Sequence, residues 1–169
     1  MAHQPKILVC PLDWGIGHAT RMVPVIHALI RQGADVHIGA SGRSLAFLQG
    51  EFPRLHTFEF PGYEIRYPSN GAGMVLKMIQ HGPFLLRSIQ EEHSKLDQLV
   101  REFGFSGIIS DNRYGLHSEK VPCIFVTHQV FMQTPWHLGF LKPIIHSIIK
   151  RYISRFKACW IPDVAGEQN

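Results

Sequence analysis

The chain has 169 residues, 45% apolar and 18% charged, a composition that suits one folded domain with a real core and excludes a disordered chain. Lys and Arg number 17 against 13 Asp and Glu, and the formal net charge of +4 is compatible with an anionic ligand or surface. The basic residues form no dense stripe with interleaved aromatics, so nucleic acid is not an expected partner, and no HExxH, CxxC or paired Cys/His spacing points to a metal.

Met1–Cys10 (MAHQPKILVC) has no basic segment leading into a long apolar stretch, and no apolar run approaches the roughly 20 residues of a transmembrane helix. Cys10, Cys123 and Cys159 are far apart and read as reduced, mostly buried small hydrophobes of a cytoplasmic protein. Lys6–Cys10 (KILVC) is a short apolar run and predicts a buried strand. Over His18–Gln32 the apolar residues Met22, Val23, Val25, Ile26, Leu29 and Ile30 form a broad face, which predicts a helix stopped by Gly33. Asp35–Ala40 reads as a second strand. Ser41 reads as the N-cap of a short helix over Gly42–Gln49, and Arg54–Phe60 alternates as a third strand.

Pro61–Gly73 is rich in Gly and Pro and predicts a loop. Helix follows to about Phe103, with a break expected near Gly82–Pro83. Gly107–Ser110 and Pro122–Thr127 read as strands four and five. Pro135–Lys157 reads as helix kinked or split at Pro143, and Ala158–Ile161 as a sixth strand. After ACWIPDV the chain stops at AGEQN, which reads as a cut at a domain boundary.

This alternation predicts an α/β fold, a Rossmann-like doubly wound parallel sheet of about six strands with helices on both faces, in one domain over residues 1–169. The expected strand order is 3-2-1-4-5. Ligands of such sheets bind beyond the strand carboxyl ends where the order reverses, between strands one and four. Asp13, His18 and Arg21 follow strand one, Asp111, Asn112 and Arg113 follow strand four, and His128 follows strand five. All seven are expected to face one crevice, although connecting loops are polar in any protein.

Gly15 and Gly17 open a dinucleotide fingerprint, but Thr20 stands where the third glycine belongs and no carboxylate ends strand two. No GK[ST] follows either, so no nicotinamide and no other cofactor is expected. A glycine turn at a helix N-terminus remains, and its N–H groups suit a phosphate. Arg21 adds charge there or is simply a solvated helix arginine. His18 is a candidate general base with Asp111 to orient it, against the plainer role of packing or capping locally.

Asp13–Arg21 (DWGIGHATR) resembles the glycine-rich loop of glycosyltransferases with the two-domain GT-B fold, notably the MurG-like (glycosyltransferase family 28-like) group and the glucuronosyl- and glucosyltransferases. Gly15, Gly17 and His18 match, and the layout is similar over nearly the whole chain, as the N-terminal half of such an enzyme. The MurG pattern has a second glycine where Ile16 stands. The resemblance implies an acceptor-binding domain of a hexosyltransferase working with inversion. His18 would be the base and Asp111 its helper, while Gly15, Gly17, Arg21, Asn112, Arg113 and His128 would bind the acceptor or an anion. The nucleotide-sugar donor would sit on a C-terminal domain absent here, the acceptor would be a sugar or lipid-linked molecule, and this piece alone would be inactive. Two rivals stay open, a nucleotide-sugar 2-epimerase of the same two-domain fold and a non-catalytic module for a phosphate or sugar ligand. Finally, Pro135–Lys157 mixes Trp136, Phe140, Ile144 and Ile148 with Lys142, Lys150, Arg151 and Arg155. Its later half is expected to pack on the sheet. Trp136–Pro143 is a candidate peripheral contact for an anionic membrane, and Met74–Leu86 a second candidate, for contact with the acceptor or the membrane.

Overall fold

The structure, a computed structural model, describes residues 4–62, 74–127 and 142–162. The elements run β1 (Lys6–Cys10), α1 (Ile16–Arg31), β2 (Asp35–Ala40), α2 (Gly42–Glu51), β3 (His56–Glu59), α3 (Met74–Phe103), β4 (Gly107–Asp111), β5 (Cys123–Val126), α4 (Lys142–Ile153) and β6 (Ala158–Trp160). The six strands form one sheet in the order β3-β2-β1-β4-β5-β6, and every neighbouring pair is parallel. The expected order holds, with β6 added beyond β5.

Both faces of the central strands are covered, so these strands carry apolar residues on both faces rather than alternating with polar ones. Leu8, Cys10, Ile108 and Phe125 point to one side, where they pack with Leu96, Leu99 and Val100 of α3 and with Phe105 and Phe156. Val9, Val36, Ile38 and Ile109 point to the other, under Ala19, Met22 and Ile26 of α1 and Leu48 of α2. Each fully buried side chain of this kind stabilises the fold by roughly 1.5–3 kcal/mol. The two layers pin β1 and β4 at the centre, in register from Ile7↔Gly107 to Cys10↔Ser110.

Four local expectations change. Ser41 precedes α2 but makes no side-chain cap, and its buried hydroxyl has no hydrogen-bond partner among the described residues. The longer Asp13 side chain reaches from the β1 loop instead, and its Oδ1 accepts from the Ser44 N–H at 3.2 Å. Gly42, at φ 49°, lies against the same carboxylate, where a Cβ would collide with Asp13 Oδ2. Asp13 therefore belongs to the start of α2. Second, α3 does not break at Pro83. That residue is exposed, and the Ile89, Leu96 and Leu99 stripe beyond it packs on the core and carries the helix. Third, Pro143 is the second residue of α4, in the first turn, where its missing N–H removes no helical bond. Fourth, Cys10 and Cys123 are buried, but Cys159 on the edge strand β6 is exposed. Burial pushes the Cys10 thiol up to about 12 and that of Cys123 to about 11. No described helix is long and apolar enough to cross a membrane.

Candidate functional site

The candidate site lies at the carboxyl ends of the paired strands β1 and β4. Asp111 ends β4 and is fully buried. Asn112 follows in the left-handed region at φ 55°, a conformation that asparagine tolerates better than most residues. Its N–H bonds to the Val126 carbonyl at 3.0 Å, and the Ser110 hydroxyl donates to the Arg113 carbonyl at 2.7 Å. These bonds fix the turn and with it the position of the Asp111 carboxylate.

On the β1 side, Gly15 at φ 79° turns the chain into α1. Among the described residues nothing lies within 4 Å of a Cβ placed at Gly15 or Gly17. His18 and Arg21, three residues apart, lie on one side of α1 and reach the same carboxylate. His18 Nδ1 is 3.0 Å from Asp111 Oδ2. Arg21 Nε donates to Oδ2 at 2.9 Å and Arg21 Nη2 donates to Oδ1. Arg21 Nη2 also lies 2.5 Å from His18 Nδ1. Side-chain exposure is 13% for His18, 23% for Arg21 and 0% for Asp111. A carboxylate oxygen only accepts, so when Nδ1 bonds to Asp111 it carries the ring proton and the lone pair lies on Nε2.

Arg113 departs from its expected role. Its side chain is fully buried and bonds to Glu92 Oε1 at 2.7 Å, to the Pro11 carbonyl at 3.3 Å and to the Pro61 carbonyl at 2.7 Å. Glu92 Oε2 accepts from the Gly115 N–H at 3.3 Å. This cation faces α3 and the floor of the loops, and it holds the loops that leave β1, β3 and β4 together. Glu92 went unnoticed in the sequence, yet a signal exists there. Position 92 falls in the apolar stripe of Ile89, Leu96 and Leu99, and a carboxylate in that stripe needs a buried cation.

Asn112 shapes the turn with its backbone. His128 lies outside the described residues. Next to Gly115, His93 on α3 stacks on His117 with ring centroids 4.3 Å apart, and His93 Nδ1 lies 3.3 Å from the Gly115 carbonyl. Arg155 Nη1 is 3.2 Å from His117 Nε2. Burial, then the neighbouring His93 and Arg155, lower the His117 pKa to about 4. Among the described residues no group of three or more His, Cys, Asp or Glu converges on a metal position.

Comparisons with known proteins agree on the architecture. A family model described as glycosyl transferase family 1 matches residues 6–139. No match appears among curated proteins. Among solved structures, Arabidopsis thaliana UGT89C1 aligns with a TM-score of 0.54 at 14% identity, over 94% of this chain and 43% of that one. The Streptomyces nogalater glycosyltransferase SnogD aligns with a TM-score of 0.51 at 18% identity, over 90% of this chain and 40% of that one. The glycosyltransferase SsfS6 of Streptomyces sp. SF2575, solved with thymidine diphosphate, aligns with a TM-score of 0.51 at 15% identity, over 89% of this chain and 43% of that one. The chain thus spans about two-fifths of the length of these structures.

Proposed function

Because the chain belongs to glycosyl transferase family 1, we propose that it is the acceptor-side domain of a hexosyltransferase that works with inversion and holds its nucleotide-sugar donor on a second domain. The observation that carries this reading is the 3.0 Å contact between His18 Nδ1 and the buried Asp111 carboxylate, at the point where the strand order reverses. The acceptor hydroxyl oxygen attacks the anomeric carbon of the donor sugar, and His18 Nε2 takes the hydroxyl proton. The bond from that carbon to the diphosphate breaks, and its electron pair leaves with the nucleoside diphosphate. Asp111 keeps the ring oriented and accepts from Nδ1–H throughout, as in a base–carboxylate pair.

The turn at Gly15 and Gly17 lines the acceptor side and offers helix N–H groups to an anionic group there. Within the family, the MurG-like loop layout and a sugar or lipid-linked acceptor complete the reading. So does a cytoplasmic enzyme with peripheral contact to an anionic membrane through the segment ending at Pro143. Residues 136–141 of that segment lie outside the described residues.

The test is a donor screen on the complete two-domain enzyme, following nucleoside diphosphate release. His18→Ala should cost at least about a hundredfold in rate, the lower end of what a general base supplies. A near-normal rate overturns the assignment. The 169-residue chain alone should turn over no nucleotide-sugar. A donor altered at the sugar 2-position, without transfer, would identify a 2-epimerase instead.

A further inference from the structure

We propose that Arg21 is the positioning residue of the site: its guanidinium holds the Asp111 carboxylate so that Oδ2 receives His18 Nδ1–H, and the imidazole lone pair is thereby fixed on Nε2. The proposal rests on the reading of His18 as a base, and it adds the residue that decides which nitrogen is basic.

Three nitrogens meet two oxygens here. Arg21 gives Nε–H to Oδ2 at 2.9 Å and Nη2–H to Oδ1, which spends both parallel donors of its fork on one carboxylate. One imidazole contact alone would leave that carboxylate able to turn about its last bond, whereas the fork sets its plane. Oδ2 then presents a second acceptor direction to His18 Nδ1 at 3.0 Å. The competing arrangement is also visible, because Nη2 lies 2.5 Å from Nδ1 and could donate to it. In that case Nδ1 would carry the lone pair and face the lone pairs of Oδ2 at 3.0 Å, which is repulsive, and the proton would sit on Nε2. The first arrangement gives each of the three contacts at Asp111 a hydrogen and leaves Nη2–H and Nδ1–H as two donors 2.5 Å apart, whereas the second gives that one contact a hydrogen and sets acceptor against acceptor at Oδ2. The arrangement also needs a planar fork: a lysine at 21 would keep the charge but could not span both oxygens in parallel.

The experiment is a long-range proton–nitrogen NMR correlation of the imidazoles in the uniformly ¹⁵N-labelled chain, at a pH where His18 is neutral. Wild type should show the His18 proton on Nδ1. In Arg21→Lys and Arg21→Ala it should move wholly or partly to Nε2, with the backbone amide spectrum otherwise preserved. A wild-type proton on Nε2 overturns the proposal without any variant. So does an unchanged Nδ1–H form in Arg21→Lys, because charge alone would then suffice. In the complete enzyme Arg21→Lys should lower kcat by at least about tenfold with little change in KM, since only correctly poised base is lost. An unchanged kcat also overturns it. The two readings fail separately. Wild-type activity in His18→Ala with Nδ1–H intact removes the base role alone, and a dead His18→Ala with wild-type Nε2–H removes the role of Arg21 alone.

Discussion

Asp111 and Arg113 are two residues apart, and each belongs to an arginine–carboxylate pair, yet the two pairs are built for different ends. In the Arg113–Glu92 pair both side chains are fully buried, and further bonds tie them to the backbone at Pro11, Pro61 and Gly115. In the Arg21–Asp111 pair the carboxylate is equally buried, but the arginine is 23% exposed and a histidine shares one carboxylate oxygen. The closed pair holds three loops in place. The open pair keeps a slightly exposed imidazole at the carboxyl edge of the sheet. Burial of the cation, rather than the presence of an ion pair, separates scaffold from candidate chemistry here.

Substitutions can break or sharpen that contrast. The largest loss of stability is expected from Arg113→Ala, which strands a buried carboxylate and should cost about 3–5 kcal/mol in urea unfolding. Arg21→Ala should cost less, because water can reach the vacated space beside Asp111. Equal losses would erase the distinction between the closed and open pairs. Gly115→Ala attacks the closed pair sterically. Its Cβ would collide with the Ile89 carbonyl and lie 2.7 Å from Glu92 Cβ. A loss of about 1–3 kcal/mol, read as a lower Tm, is expected from such overpacking.

The smallest effect concerns His117, which sits two residues beyond Gly115 and stacks on His93, the neighbour of Glu92. Its pKa is lowered from 6.5 to about 4 in the fold, so the unfolded chain binds the extra proton first as pH falls. Its contribution to stability is complete above about 6.5 and is lost as pH falls through that window to about 4. His117→Gln should flatten the decline in stability across this window in urea titrations at several pH values, with little change at pH 8. An unaltered slope would show that the closed region does not feel this ring.

The fold was legible because its signal is local. Runs such as KILVC and GIIS are short, apolar and bounded by turn residues, and a strand buried on both faces needs nothing more. That His18 and Asp111 would share the carboxyl edge followed from topology, since each comes just after a central strand. The partner of a side chain was another matter. Arg113 looks like a loop cation until α3 brings Glu92 beneath it from 21 residues away. Asp13 looks like a crevice residue until α2, some 30 residues on, presents an N–H to it. The Gly82–Pro83 pair reads as a break because nothing local reveals the packing that holds α3 on its far side.

The Asp13 contact bears on how such domains can be recombined. The residue that opens the glycine turn is also the cap of α2, and Gly42 is shaped to receive it. Turn and helix start are therefore one module, although the whole of α1 and β2 separates them in the chain. A protein engineer who transplants DWGIGH into another scaffold must transplant a glycine at the position of Gly42 with it, or the turn will arrive without its anchor.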